Sequence, residues 1–194
     1  MARNRSPRFK ECRALGLNVY GHPKAMKRNT PSRAAKKLSN YGEQLLEKQR
    51  LRAYYGVLEK QMRMFYKKAS KAPIPVEALI TRLELRLDNI VYRIGFGKSL
   101  RHARQMVVHG HILVNGKKID IPSYRVEKGD VITLNGNNKL INDIKNSVLS
   151  ANPLPYITYD DNKKAATLVR EPAREEIPIV IQDNLVAEYY SKMG

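Results

Sequence analysis

The chain has 194 residues, with 36 Lys+Arg against 18 Asp+Glu, a formal net charge of +18, and 42% hydrophobic residues. That is enough apolar material for a buried core, so the chain is not a generic disordered tail. Its longest apolar runs, such as Ile112–Val114 and Ile179–Ile181, fall far short of the ~20 residues a membrane helix needs; the basic N-terminus lacks the apolar stretch of a secretory signal, and a lone cysteine, Cys12, excludes an internal disulfide framework.

Residues 1–72 hold 19 Lys+Arg and 4 Asp+Glu, net +15; residues 73–150 are net +5 and residues 151–194 net −2. A localised excess of this size calls for a polyanionic partner. A membrane-surface helix would set Trp or Phe against the basic face, but Trp is absent and Phe numbers three, so nucleic acid is the favoured partner. Residues 1–40 carry Pro7, Pro23 and Pro31 and little periodicity. A short helix near Phe9–Leu15 in an otherwise extended arm is the expectation.

From Asn40 the pattern becomes helical. Leu45, Leu46, Leu51 and Tyr54 suit one apolar face, and Val57, Leu58, Met62 and Phe65 begin a second helix ringed by Lys60, Arg63, Lys67 and Lys68. Lys71-Ala-Pro-Ile-Pro75 stops helix growth. Val76–Ile94 then predicts one continuous helix, with Ile80, Leu83, Leu87, Ile90, Val91 and Ile94 on its apolar face and Arg82, Arg86, Asn89 and Arg93 as a polar stripe. Gly95-Phe-Gly97 is a turn, Ser99 an N-cap, and Leu100–His109 a helix burying Leu100, Ala103, Met106 and Val107 while Lys98, Arg101, Arg104 and Gln105 point outward. Gly110 ends it.

The period then switches to two. Ile112–Ile119 contains Asn115-Gly116, a hairpin signal because both turn positions require positive φ. Glu127–Asp130 turns into a strand at Val131–Leu134. Lys139–Leu149 reads as helix, Ile157–Asp160 and Thr167–Arg170 as a small hairpin, and Asn184–Lys192 as a closing helix.

No catalytic constellation is visible. Gly97-Lys98-Ser99 lacks the glycine five positions earlier that a phosphate-binding loop requires, since Tyr92 stands there. His102, His109 and His111 have no thiol or carboxylate clustered with them for zinc. Glu84 and Asp88, four apart on one helix, are expected to pair with nearby arginines rather than to act as an acid–base dyad. The segregation of apolar and basic positions around Leu100–His109, with Lys117, Lys118 and Tyr124 following, suits RNA: guanidinium groups hold phosphates and a tyrosine ring stacks on an unpaired base.

The stretches Arg82-Leu-Glu-Leu-Arg-Leu-Asp-Asn-Ile-Val-Tyr-Arg-Ile-Gly-Phe96 and Ala103-Arg-Gln-Met-Val-Val-His-Gly-His-Ile-Leu-Val-Asn-Gly116, with Ile121-Pro-Ser-Tyr124, resemble the S4 RNA-binding domain. Leu38–Arg52, Tyr55–Glu59 and Glu188–Lys192 are similar to the bacterial ribosomal protein S4 family, and the resemblance spans the chain. It implies an α+β fold: a helical N-terminal domain, then two helices packed on a small, mainly antiparallel sheet. The expected divisions are a basic, largely extended arm over 1–40, a helical domain over 41–81, the S4 RNA-binding domain over 82–150, and a C-terminal hairpin and helix over 151–194 packing back on the body.

The resemblance further implies a non-enzymatic, cytoplasmic constituent of the small ribosomal subunit. Such a protein is a primary binder of 16S rRNA at a multi-helix junction in the 5′ region, nucleates 30S assembly and supports translational accuracy. Implied partners are the neighbouring ribosomal proteins S5 and S3 and, in some bacteria, its own mRNA leader; no membrane or small-molecule substrate is implied. Many relatives bind a metal through several N-terminal cysteines, whereas this chain keeps only Cys12, so neither metal nor cofactor is expected. The RNA-contacting set expected on this reading is Arg3, Arg5, Arg8, Lys10 and Arg13 in the arm; Lys48, Arg50, Arg52 and Arg63 in the helical domain; and Arg82, Arg86, Lys98, Ser99, Arg101, His102, Arg104, Gln105, His109, Asn115, Lys117, Lys118 and Tyr124 in the module. Two other classes remain: a helix-turn-helix DNA regulator, suggested by two helices about a glycine turn, and an RNA-modifying enzyme, for which the chain has no room for a catalytic domain.

Overall fold

A computed structural model describes residues 7–27, 37–135 and 154–192. The chain divides into two compact units, one of Met1–Leu79 with Ile179–Gly194, the other of Ile80–Pro178. Of the C-terminal segment, the hairpin belongs to the second unit and the helix to the first.

In the first unit, α1 (Arg8–Leu15) is followed by turns that pack rather than by an extended arm. Cys12, Leu15, Val19 and Ala25 are buried with Ala53, and Phe9 and Leu46 close the cluster. Burying these apolar side chains is what orders residues 7–27, despite their charge. Helix α2 (Asn40–Tyr54) starts at Ser39, whose hydroxyl accepts from the Gly42 amide at 3.3 Å. Its buried side is unexpectedly polar: Leu51 and Ala53 are buried, but so are Gln44, Glu47 and Lys48, while Leu45 and Leu46 are only half-buried. The reason is the C-terminal helix α7 (Asp183–Ser191), which packs beside α2. Gln44 donates to Glu188 at 2.5 Å and accepts from the Lys192 ammonium at 3.2 Å. Glu47 accepts from the Gln182 amide at 3.1 Å. Helix α3 (Glu59–Ala69) lays Tyr66 flat on Tyr190 of α7, with ring centroids 4.3 Å apart.

In place of one helix over Val76–Ile94 there are two, α4 (Pro75–Glu84) and α5 (Leu87–Ile94). Arg86 breaks the run with extended backbone (φ −71°, ψ 140°). It forms a β-bridge with Arg125; Leu87 N–H donates to Tyr124 C=O at 2.8 Å and Val126 N–H to Leu85 C=O at 2.9 Å. Tertiary hydrogen bonds to a distant loop thus replace helical ones, and the apolar spacing survives because Leu85, Leu87, Ile90 and Val91 remain buried.

Helix α6 (Leu100–Val108) packs beside α5. The sheet that follows is antiparallel, in the order β2–β1–β3–β5–β4, with β1 Ile112–Val114, β2 Lys117–Lys118, β3 Val131–Leu134, β4 Ile157–Asp160 and β5 Ala165–Leu168. Ile112 faces Leu134, Val131 faces Thr167 and Ile157 faces Leu168 in register. Ile112, Val114, Ile132, Ala166 and Leu168 form one buried cluster with Ile90, Ile94, Met106 and Val107 of α5 and α6, the α+β layering expected. The Asn115-Gly116 turn has φ values of 51° and 75°. The helix expected over Lys139–Leu149 lies outside the described residues.

The two acidic residues do pair with arginines. Glu84, fully buried, takes Arg93 at 2.6 and 3.2 Å and the Tyr156 hydroxyl at 2.9 Å. Burial first, then the Glu84 charge, pushes the Tyr156 hydroxyl far above the usual phenol range.

Candidate nucleic-acid interface

The second unit presents its basic groups through α6. Ser99 caps the helix, its hydroxyl accepting from the His102 amide at 3.3 Å; it serves the helix end first. Ala103, Met106 and Val107 are buried, which turns Lys98, Arg101, His102, Gln105 and His109 to solvent. No acidic residue occurs in Leu100–Val108. Lys98 N–H donates to Nδ1 of His102 at 3.2 Å, leaving Nε2 as the ring nitrogen for an outside partner. Close approach sets the helix position: a Cβ on Gly97 would lie 2.7 Å from the Cα, N and Cβ of Ala103.

The β1–β2 turn joins this surface. The stem of Lys118 lies across Gly110, where a Cβ would fall 1.9 Å from its Cε. The imidazoles of His109 and His111 stand 6.2 Å apart on either side of that glycine. Asn135 staples the loop, donating from its carboxamide to Gly110 C=O at 3.1 Å and from its amide to His111 C=O at 2.8 Å. Lys117 and Lys118 are both exposed.

Other expected contacts are committed within the molecule. Arg86 is 2% exposed and forks onto Asp88 at 3.0 and 2.8 Å, so it is a core ion pair rather than a surface contact. Arg104 is half-buried, with Nη1 3.1 Å from the same carboxylate. Asn115 is exposed at the turn, but its carboxamide donates to Asp130 at 2.7 Å and accepts from the Val131 amide at 2.9 Å; it ties the turn to β3. Tyr124 is half-buried against the core, and that burial, followed by Asp130 and Glu127, raises its hydroxyl pKa. Arg82 is half-buried.

In the first unit the basic surface shifts from α2 to α3. Lys48 is 2% exposed, ion-paired to Glu59 at 2.7 Å and placed 4.7 Å over the Tyr189 ring. Its ammonium therefore serves the helix packing and does not reach solvent. Arg50 donates from Nε to Leu15 C=O at 3.0 Å and pairs with Glu47. Arg52 is half-buried. On α3, by contrast, Lys60, Arg63, Lys67 and Lys68 are exposed, Arg63 with a long 3.6 Å contact to Glu59. Lys60, Lys67 and Lys68 are not among the RNA contacts expected from sequence; their spacing of seven and one, with Arg63 between, is the signal for a shared outer face. In the arm, Lys10 is exposed and Arg13 half-buried; Arg8 is half-buried with its guanidinium 6.0 Å from the Phe9 ring centre. Arg3 and Arg5 lie outside the described residues.

The arrangement offers two surfaces of exposed cations, each backed by buried carboxylates that hold other cations in place. Comparison with known proteins assigns the scaffold. The model of the ribosomal protein S4/S9 N-terminal domain matches residues 3–84, and that of the S4 domain residues 85–132. The small ribosomal subunit protein uS4B of Clostridium acetobutylicum is 50% identical over 194 residues, covering 99% of this chain and 100% of that protein. The uS4 proteins of Finegoldia magna and Brevibacillus brevis are 52% and 45% identical over 199 residues, again covering 99% of this chain and all of theirs. With such similarity from end to end, the chain belongs to the small ribosomal subunit protein uS4 family.

Proposed function

We propose that this chain is a structural, non-enzymatic constituent of the small ribosomal subunit that binds 16S rRNA directly. It docks as a primary binder on a multi-helix junction in the 5′ region, nucleates 30S assembly and supports decoding accuracy within the cytoplasmic ribosome. Proteins S5 and S3 are its expected neighbours, and its own mRNA leader would be bound through the same basic face. The observation that carries this reading is the α6 surface: Lys98, Arg101, His102, Gln105 and His109 exposed on an acid-free helix, with Lys118 folded against its end.

Filter binding of the full chain to a 16S 5′-region fragment tests it, with duplex DNA and unstructured RNA as competitors. Lys98→Ala/Arg101→Ala should weaken binding roughly tenfold for each charge-assisted hydrogen bond removed, with the fold retained in the far-UV circular dichroism spectrum. Displacement by duplex DNA would instead support a DNA regulator; equal affinity of the variant, with the fold intact, removes α6 from the interface.

A further inference from the structure

The exposed cations of α6 stand on a buried three-group network. Asp88, 1% exposed in the first turn of α5, receives both Nε and Nη2 of Arg86 at 3.0 and 2.8 Å. Its Oδ2 is shared with Nη1 of Arg104 at 3.1 Å. Arg86, 2% exposed, is held by the extended backbone that interrupts the helices, so its fork fixes the carboxylate plane. Arg104 follows Arg101 by three residues on α6. Whatever orients Arg104 therefore orients the turn of helix that carries Arg101 and Gln105.

On the rRNA-binding reading, we propose that Asp88 is a positioning residue for RNA: it anchors Arg104 and thereby sets the rotation of α6 about its axis. Packing sets that rotation only in part. Ala103, Met106 and Val107 bury the inner side of α6, and the close contact of Ala103 with Gly97 fixes how near the helix lies. A directional ion pair adds an orientation that non-directional apolar burial does not specify. The network also explains why an arginine stands at position 104 without pointing fully to solvent: its charge is engaged by Asp88.

Charge and position make opposite predictions here. Asp88→Asn makes the chain more positive by one. If only charge mattered, RNA binding would tighten. If Asp88 positions α6, binding weakens, by about tenfold for the removal of a charge-assisted bond, while the slope of log affinity against log salt stays that of the parent, because every phosphate keeps its cation. A side chain touching phosphate behaves differently: removing it reduces the slope by roughly 0.7–0.9. Lys98→Ala is the control expected to show that reduction.

The experiment measures affinity for the 16S 5′-region fragment across a potassium chloride series, for the parent chain, Asp88→Asn, Arg104→Gln, the Asp88→Asn/Arg104→Gln double variant and Lys98→Ala, alongside thermal melts. Weaker binding by Asp88→Asn and Arg104→Gln at the parental slope, with no further loss in the double variant, supports the proposal. Equal or tighter binding by folded Asp88→Asn overturns it. Should Asp88→Asn fail to fold, Arg104→Gln decides: a slope reduced like that of Lys98→Ala makes Arg104 a phosphate contact and overturns the proposal, and the parental slope with weaker binding upholds it. A parent chain that does not prefer the fragment over competitor RNA overturns the rRNA reading and this inference with it, an outcome distinct from any difference among variants.

Discussion

Buried carboxylates decide the fate of several cations in this chain. Buried Asp88 and Glu84 take Arg86 and Arg93, and half-buried Glu59 takes the buried Lys48; each of these cations is indistinguishable by residue type from an RNA contact. Breaking a buried, charge-assisted partner exposes the cost. Tyr156→Phe removes the hydroxyl that donates to Glu84 at 2.9 Å and should lower stability by about 1–3 kcal/mol in thermal or urea unfolding, without altering the α6 surface. A surface pair behaves otherwise. Arg170 forks onto Glu176, with one contact at 2.7 Å, and the Ala173 amide adds another at 2.9 Å; the Arg170 hydrogen bonds, then that amide, hold the Glu176 carboxyl down to about 2. A carboxyl depressed in the folded state stabilises the fold above its ordinary titration range and loses that contribution as pH falls through about 2. The side-chain carboxyl resonance of Glu176 should therefore titrate near 2 in the parent and return towards the ordinary carboxylate range in Arg170→Ala.

At the scale of elements, local pattern and tertiary demand agree for most of the chain and part at Arg86. Helices α3 and α6, the Asn115-Gly116 hairpin and strands β3 and β4 follow from periodicity and turn chemistry, whereas α1 forms in a stretch of little periodicity and α2 buries Gln44, Glu47 and Lys48 while Leu45 and Leu46 stay half-buried. The break between α4 and α5 was not legible: the apolar spacing runs straight through it, and only the ladder to Tyr124, Arg125 and Val126 pulls the backbone out of helix. The α5–α6 junction depends on a glycine for a reason that turn propensity does not supply. Gly97→Ala would place a Cβ 2.7 Å from backbone atoms of Ala103, so α6 must move. The expected result is a fall of roughly 1–3 kcal/mol in stability, together with weaker binding to the rRNA fragment, read by melting and by filter binding of the same preparation.

Across the molecule, the cations among the described residues of the strongly basic 1–72 segment divide into those that build the first unit and those that face outward. The two kinds should separate in one experiment. Lys60→Ala/Lys67→Ala, on the exposed side of α3, should lower rRNA affinity and reduce the salt slope by up to about 0.9 for each phosphate left without its cation, with the melting temperature unchanged. Lys48→Ala should instead lower the melting temperature, since it strips a buried ammonium from Glu59 and from the Tyr189 ring; the cost is several kcal/mol at most, as for a broken buried pair. An unchanged slope in the α3 variant would take that face out of the RNA surface.

The amino-acid sequence by itself determined the family, the two-part α+β plan, the hairpin register at Asn115-Gly116 and the basic helix Leu100–Val108. The family and the plan rest on the resemblance carried by the Arg82–Phe96, Ala103–Gly116 and Leu38–Arg52 stretches, and the turn and helix on spacing and on turn residues that admit positive φ. Only the tertiary structure decided which cations are available to a polyanion. Lys48 and Arg86 became core ion pairs and Arg104 half of one, while Lys60, Lys67 and Lys68 stayed outside. Whether a charged side chain is desolvated depends on how deeply the backbone path and the packed helices bury it with its carboxylate, whether that carboxylate is two residues away, as Asp88 is from Arg86, or on another helix, as Glu59 is from Lys48.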